Sequence, residues 1–114
     1  MKQRLLVMNG QRLVQSEQDG RWITDKVDKA GLVKPGIYNI YLAGDADKTK
    51  AHVGQIVHAD KEFVYQQVGK SFVRHDRSNF DQMNGVGVNC SIDYDGDRAV
   101  VAGFAIKTSR SLSR

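Results

Sequence analysis

The sequence predicts a mainly β domain with one or two short helices (β+α), folded as a small barrel or sandwich in which two pseudo-symmetric halves pack together. Three observations point there. Short apolar runs alternate with Asn-Gly, Asp-Gly and Gly-Lys turns, one segment near the C-terminal end keeps a strict period of two, and the two halves echo each other. At 114 residues the chain suffices for one core and falls short of two ordinary ones. Residues 1–105 therefore read as a single β-rich domain, with halves at 1–44 and 54–104, and 106–114 as a basic flexible tail.

The first element is a hairpin. The apolar run Leu5 to Met8 leads into Asn9-Gly10, and Gln11 to Gln15 follows; Asn and Gly both tolerate the positive φ of a tight hairpin turn. Asp19-Gly20 turns the chain into Arg21, Trp22 and Ile23. Thr24 to Ala30 then reads as a short helix, with Thr24 as its N-cap and Gly31 as its stop. Lys34-Pro35-Gly36 has the order of a type II turn, from which Ile37 to Ala43 emerges as a strand. Gly44 to His52 is polar and reads as an exposed loop.

In the second half, Gln55 to Ala59, Glu62 to Val68 and Ser71 to His75 read as strands, separated by turns at Asp60-Lys61 and Gly69-Lys70. Ser78 with Asp81 marks one helical turn containing Phe80 and Met83. Val88, Cys90, Ile92 and Tyr94 alternate with Asn89, Ser91 and Asp93, a half-buried strand, and Asp95-Gly96 returns the chain along Arg98 to Phe104.

At an offset of about 51 residues, Leu6-Val7-Met8 corresponds to Val57-His58-Ala59, Val14-Gln15 to Tyr65-Gln66, and Gly36-Ile37 to Gly87-Val88. Gly20 and Trp22 match Gly69 and Phe72 more loosely, and Gly44-Asp45 matches Gly96-Asp97. If this is a repeat, neither half buries its apolar face alone. Unless the sheet closes, its edge strands also leave a route to self-association.

Composition narrows the function classes. No apolar stretch approaches the roughly 20 residues of a membrane-spanning helix, and the apolar run after Lys2 and Arg4 stops at Asn9-Gly10, too early for a secretory leader. The expected location is the bacterial cytosol. The lone Cys90 cannot form an internal disulfide and reads as a small buried hydrophobe. Of 17 basic residues three, Lys107, Arg110 and Arg114, lie in the tail, leaving 14 against 13 acidic residues in a nearly neutral body. The tail could add salt-dependent attraction to phosphates, but a DNA reader usually carries a basic stripe on its folded part too.

No catalytic constellation stands out. His75-Asp76 are strand neighbours that point to opposite faces. Asp93, Asp95 and Asp97 imitate the start of a calcium loop, yet its sixth and twelfth positions hold Arg98 and Phe104 where glycine and glutamate are needed. Gly85-Val86-Gly87 enters a strand, where a phosphate cradle would enter a helix. The expectation is therefore no enzyme, no cofactor and no metal. What remains is a set of aromatic and long polar residues on strands. Tyr38, Tyr41, Tyr65, Gln67, Lys70 and Arg74 are the candidate binding residues, with Lys107, Arg110 and Arg114 in the tail.

Gly54-Gln55-Ile56-Val57, Val64-Tyr65-Gln66-Gln67-Val68-Gly69-Lys70, Val73-Arg74-His75, and Gly87 to Tyr94 before Asp95-Gly96 together resemble the KfrB domain. That family's pattern has a glycine-led strand, a valine-x-glutamine strand, a valine-x-histidine strand and an isoleucine-x-tyrosine strand. The resemblance covers about residues 54 to 101, and Lys34-Pro35-Gly36-Ile37-Tyr38 is similar to what precedes the domain in short plasmid-encoded versions. It implies an accessory protein of broad-host-range conjugative plasmids, serving plasmid maintenance or conjugation beside a coiled-coil DNA-binding protein partner, and it implies no catalytic residues. The leading expectation is a non-enzymatic module acting through protein–protein interaction; the alternative is a small β-barrel nucleic-acid-binding protein.

Overall fold

The computed structural model describes residues 2–80 and 85–103. The Asn-Gly and Asp-Gly signals are realised as tight turns, with Asn9 and Gly10 at φ 52° and 74° and Asp19 and Gly20 at φ 52° and 79°. Such paired positive values twist the turn in the sense its strands need. They join β1 (Gln3–Met8), β2 (Gln11–Gln18) and β3 (Arg21–Lys29) into an antiparallel meander. A short β4 (Gly36–Tyr38) returns beside β1, so the first sheet has the order β3-β2-β1-β4.

The second sheet contains β5 (Gly44–Asp45), β6 (His52–Ala59), β7 (Phe63–Val68), β8 (Ser71–Asp76), β9 (Asn89–Asp95) and β10 (Arg98–Gly103). Its order is β10-β9-β6-β7-β8-β5, with β5 alone parallel to its neighbour. The chain divides into two compact units, Met1–Ala43 and Gly44–Arg114, one sheet in each. Both sheets contain the same motif: a three-strand meander with a fourth strand antiparallel to the first, β3-β2-β1-β4 in one and β8-β7-β6-β9 in the other. The sequence echo follows this topology. The second motif is extended at both ends, by β10 beside β9 and by β5 beside β8.

Several expectations are corrected. Among the described residues neither sheet closes into a barrel, because the end strands of each order do not pair with each other. The expected helix over Thr24 to Ala30 is the continuation of β3. Val27 pairs with Leu13 and Lys26 with Val14, and the Thr24 hydroxyl accepts a hydrogen bond from Gln15 Nε2 at 3.1 Å where a cap would have turned to its own backbone. The charged residues of this segment mark a solvent-facing edge. Gly31, at φ 57°, ends a strand and not a helix. Ile37 to Ala43 is not one strand either. After Tyr38, whose hydroxyl donates to Lys34 O at 2.6 Å, the chain winds into a 3-10 turn over Ile40–Leu42 that packs on β1. The turn expected at Ser78 is a 3-10 turn over Arg77–Asn79, with Asp76 at its N-terminal boundary, and Met83 lies outside the described residues. These two turns are the helical content of the described residues, none of whose helices is long and apolar enough to cross a membrane.

Ile56, Val64, Cys90, Ile92 and Ala99 form the core of the second unit, flanked by Phe80, Val88 and Tyr94. Each fully buried aliphatic side chain there contributes about 2 kcal/mol of transfer free energy. Cys90 is the buried thiol that its strand alternation predicts, and burial pushes its pKa up. In the first unit one sheet face is buried at Leu5, Val7, Val14 and Tyr38, while the other is largely open.

Candidate functional site

On the open face of the first sheet, strand register aligns an aliphatic row. Ile37 on β4 is opposite Leu6 on β1, Leu6 is opposite Leu13 on β2, and Leu13 is opposite Val27 on β3. Residues opposite one another in an antiparallel ladder share a face, so the row crosses all four strands. Its ends are the most exposed, Ile37 at 57% and Val27 at 52%, with Leu6 and Leu13 half-buried between them. Beside it runs a polar row in which Arg4 Nε donates to Gln15 Oε1 at 2.9 Å and Gln15 Nε2 donates to the Thr24 hydroxyl. The Arg4 guanidinium lies 4.2 Å from the centre of the Trp22 ring, Trp22 sits 6.0 Å from Tyr41, and Lys2 Nζ is 5.4 Å from the Tyr41 ring. The open face thus carries the aliphatic strip, the polar row with Arg4 beside it and, beyond that row, the Trp22–Tyr41 pair, residue types found at protein-docking surfaces.

The second unit holds a buried polar network. Gln66 and His75 are both fully buried. Gln66 Nε2 donates to the carbonyls of His52 at 3.1 Å, Gly54 at 3.2 Å and Cys90 at 3.1 Å. Three carbonyls can only accept, so the nitrogen end of the amide must face them and Gln66 Oε1 must face His75 Nε2, 3.0 Å away. That nitrogen therefore carries the proton, and His75 Nδ1 accepts from the Tyr94 hydroxyl at 2.6 Å. Every link of the chain from Tyr94 through His75 to Gln66 has one direction. Burial, with the nearby His52, lowers the His75 pKa to about 4, and burial with the charge of Asp76 pushes Tyr94 up to about 12, so both stay neutral.

Tyr94 reaches a cleft of about 370 Å³ lined also by Asp45, Lys48, Phe63, Arg74 and Asp76. Its cations are matched by acids. Arg74 pairs with Asp45 at 2.5 Å while stacking 4.7 Å from the Phe63 ring, and Lys48 pairs with Asp97 at 2.9 Å. Among the described residues, no three His, Cys, Asp or Glu side chains converge as metal ligands would.

Residues 51–103 match the KfrB domain. Protein TraB of Escherichia coli is 39% identical over 104 residues, spanning 88% of this chain and 70% of TraB. The chain belongs to the KfrB family. The KfrB match falls within the second unit, and the motif residues that carry it converge there: Gly54, the glutamine Gln66, the histidine Gln66 receives, His75, and the tyrosine Tyr94 build one hydrogen-bonded chain. In this protein the KfrB signature is thus a core-building signature. Gly54 belongs to it because a Cβ there would enter the shell of the Gln67 carbonyl oxygen, where β6 and β7 run close.

The candidate residues named from the sequence scatter over these surfaces. Tyr41 lies beside Trp22 on the first unit and Arg74 on the cleft. Tyr38 is buried at 8% exposure and Tyr65 at 7%, the latter stacked on His58 with 5.8 Å between ring centres. Gln67 is half-buried on β7, and Lys70 is exposed in the β7–β8 turn. Lys107, Arg110 and Arg114 lie outside the described residues. Leu6, Leu13, Val27 and Ile37 are not among the sequence candidates, because a helix over Thr24 to Ala30 takes Val27 out of the row; the hairpin register set by Asn9-Gly10 is the signal that pairs Leu6 with Leu13.

Proposed function

We propose that this KfrB-family chain is a non-enzymatic binding module of plasmid maintenance or conjugation, acting in the cytosol by holding a plasmid-encoded protein partner. The observation that carries the reading is the Ile37–Leu6–Leu13–Val27 row, sharing its open sheet face with Arg4 in the next row and with the Trp22–Tyr41 pair beyond it. Aromatic and arginine anchors beside an aliphatic strip supply most of the energy at protein interfaces. A coiled-coil DNA-binding protein suits this face, since an amphipathic helix lays an apolar stripe into such a strip and acidic flanks would meet Lys2 and Arg4. The non-catalytic part is supported by His75, whose two ring nitrogens are both engaged inside the core.

Calorimetric titration of the full chain with the coiled-coil protein encoded on the same plasmid tests the proposal. Trp22→Ala and Ile37→Glu are each expected to weaken binding about tenfold or more, with Lys70→Ala unchanged. Equal affinity for Ile37→Glu and the native chain would remove the docking face from the mechanism. The nucleic-acid alternative rests on the basic tail. Titrating labelled single- and double-stranded oligonucleotides across a salt series, with and without residues 107–114, decides it: binding that falls steeply with salt and needs Lys107, Arg110 and Arg114 supports that alternative.

A further inference from the structure

We propose that β3 is a dimerisation edge, on which a second copy of this chain adds its own β3 in antiparallel register about Val27. β3 is an end strand of the first sheet, nine residues long, and exposed at every position except Trp22 and Asp28. The corresponding edge of the second sheet's motif, β8, is covered by β5. In the repeated motif this edge therefore accepts a further strand, and in the first sheet that place is taken by none of the described residues.

The backbone is set for it. Ala30 N donates to Gly10 O on the β2 side at 3.0 Å. By alternation Asp28 and Lys26, opposite Arg12 and Val14, also turn their amides toward β2, while Val27 and Lys29 aim theirs outward. The pairing of β2 and β3 slips between Val14 and Gln15, leaving Asp25 as the extra residue. That bulge limits the regular outer edge at one end, Lys29 ends the strand at the other, and Val27 is the midpoint.

Charge identifies the occupant. Read about Val27, the segment Asp25-Lys26-Val27-Asp28-Lys29 is complementary to its own reverse: Lys26 meets Asp28 of the second copy, Asp25 meets its Lys29, and each pair occurs twice by symmetry. At the centre Val27 faces Val27, with outward N–H and C=O groups to exchange. Shifting the axis to Asp25 or Lys26 opposes like charges. In the Val27 register the two aliphatic rows also join end to end on one face, because opposed residues share a face. Two four-stranded sheets become one of eight strands.

Sedimentation of the full chain over a concentration series tests this without reference to any other partner. The native protein is expected to pass from monomer to dimer, with weaker association at high salt. Val27→Pro removes an amide that points away from β2, so the sheet's own ladder is kept, and the dimer should be lost. Asp25→Lys and Lys29→Asp each place like charges opposite and should weaken the dimer about tenfold, whereas the double variant restores complementarity and should recover native association. A native chain that stays monomeric to millimolar concentration overturns the proposal. So does a dimer indifferent to Val27→Pro, or one that the double variant fails to rescue.

Discussion

Gln66 shows how one side chain can settle a core. Its amide has two hydrogens and one oxygen, and all are spoken for by three backbone carbonyls and the imidazole of His75. Gln66→Leu keeps the bulk but strands those carbonyls and the His75 proton, at a cost of about 3 kcal/mol, to be read as a lower midpoint in urea. The His75 ring makes stability depend on pH. Its pKa falls from 6.5 to about 4 on folding, so between those values the unfolded chain binds a proton that the native chain refuses. The stabilisation is complete above pH 6.5 and is lost as pH falls toward 4, by on the order of 3 kcal/mol. Urea midpoints between pH 7 and pH 4.5 should trace that slope, and His75→Gln should flatten it.

Strand pairing depends on residues whose role no side-chain contact reveals. Gly54 lets β6 approach β7, and Gly54→Ala should push the two apart, destabilising the second unit by on the order of 3 kcal/mol. Cys90 offers the measurement, since it is the chain's one cysteine and is fully buried in that unit's core. Its labelling by a thiol reagent should be slow in the native protein and many-fold faster in the variant. β3 teaches the complementary lesson. Asp25, Lys26, Asp28 and Lys29 lower its β-propensity, yet edge strands carry such residues as protection against indiscriminate pairing. Helical and edge-strand readings of that segment differ only in which neighbour Val27 meets, and that neighbour, Leu13, is 14 positions away in the chain.

For the molecule as a whole, the division at Ala43 and Gly44 gives each unit its own sheet. The residues of the Ile56–Val64–Cys90–Ile92–Ala99 cluster all come from the second unit, as do the members of the Gln66–His75–Tyr94 chain. A fragment of residues 44–114 should therefore unfold cooperatively on its own, and its near-ultraviolet circular dichroism should report a fixed environment for Tyr94. A fragment without a cooperative transition would mean that the KfrB region draws essential stability from residues 1–43.

Local chemistry was enough to determine the hairpins at Asn9-Gly10 and Asp95-Gly96, the turn at Asp19-Gly20, the buried face of Val88 to Tyr94, and the KfrB resemblance, because positive φ, period-two alternation and short motifs are written in adjacent residues. The echo between the halves was legible for the same reason. Tertiary structure alone decided that Thr24 to Lys29 is a strand, that neither sheet closes, and that Gln66, His75 and Tyr94 meet. It also decided that Ile37, Leu6, Leu13 and Val27 form one row. Each of these depends on which strands become neighbours and in what register, and a one-residue slip in pairing would send the whole row to the other face.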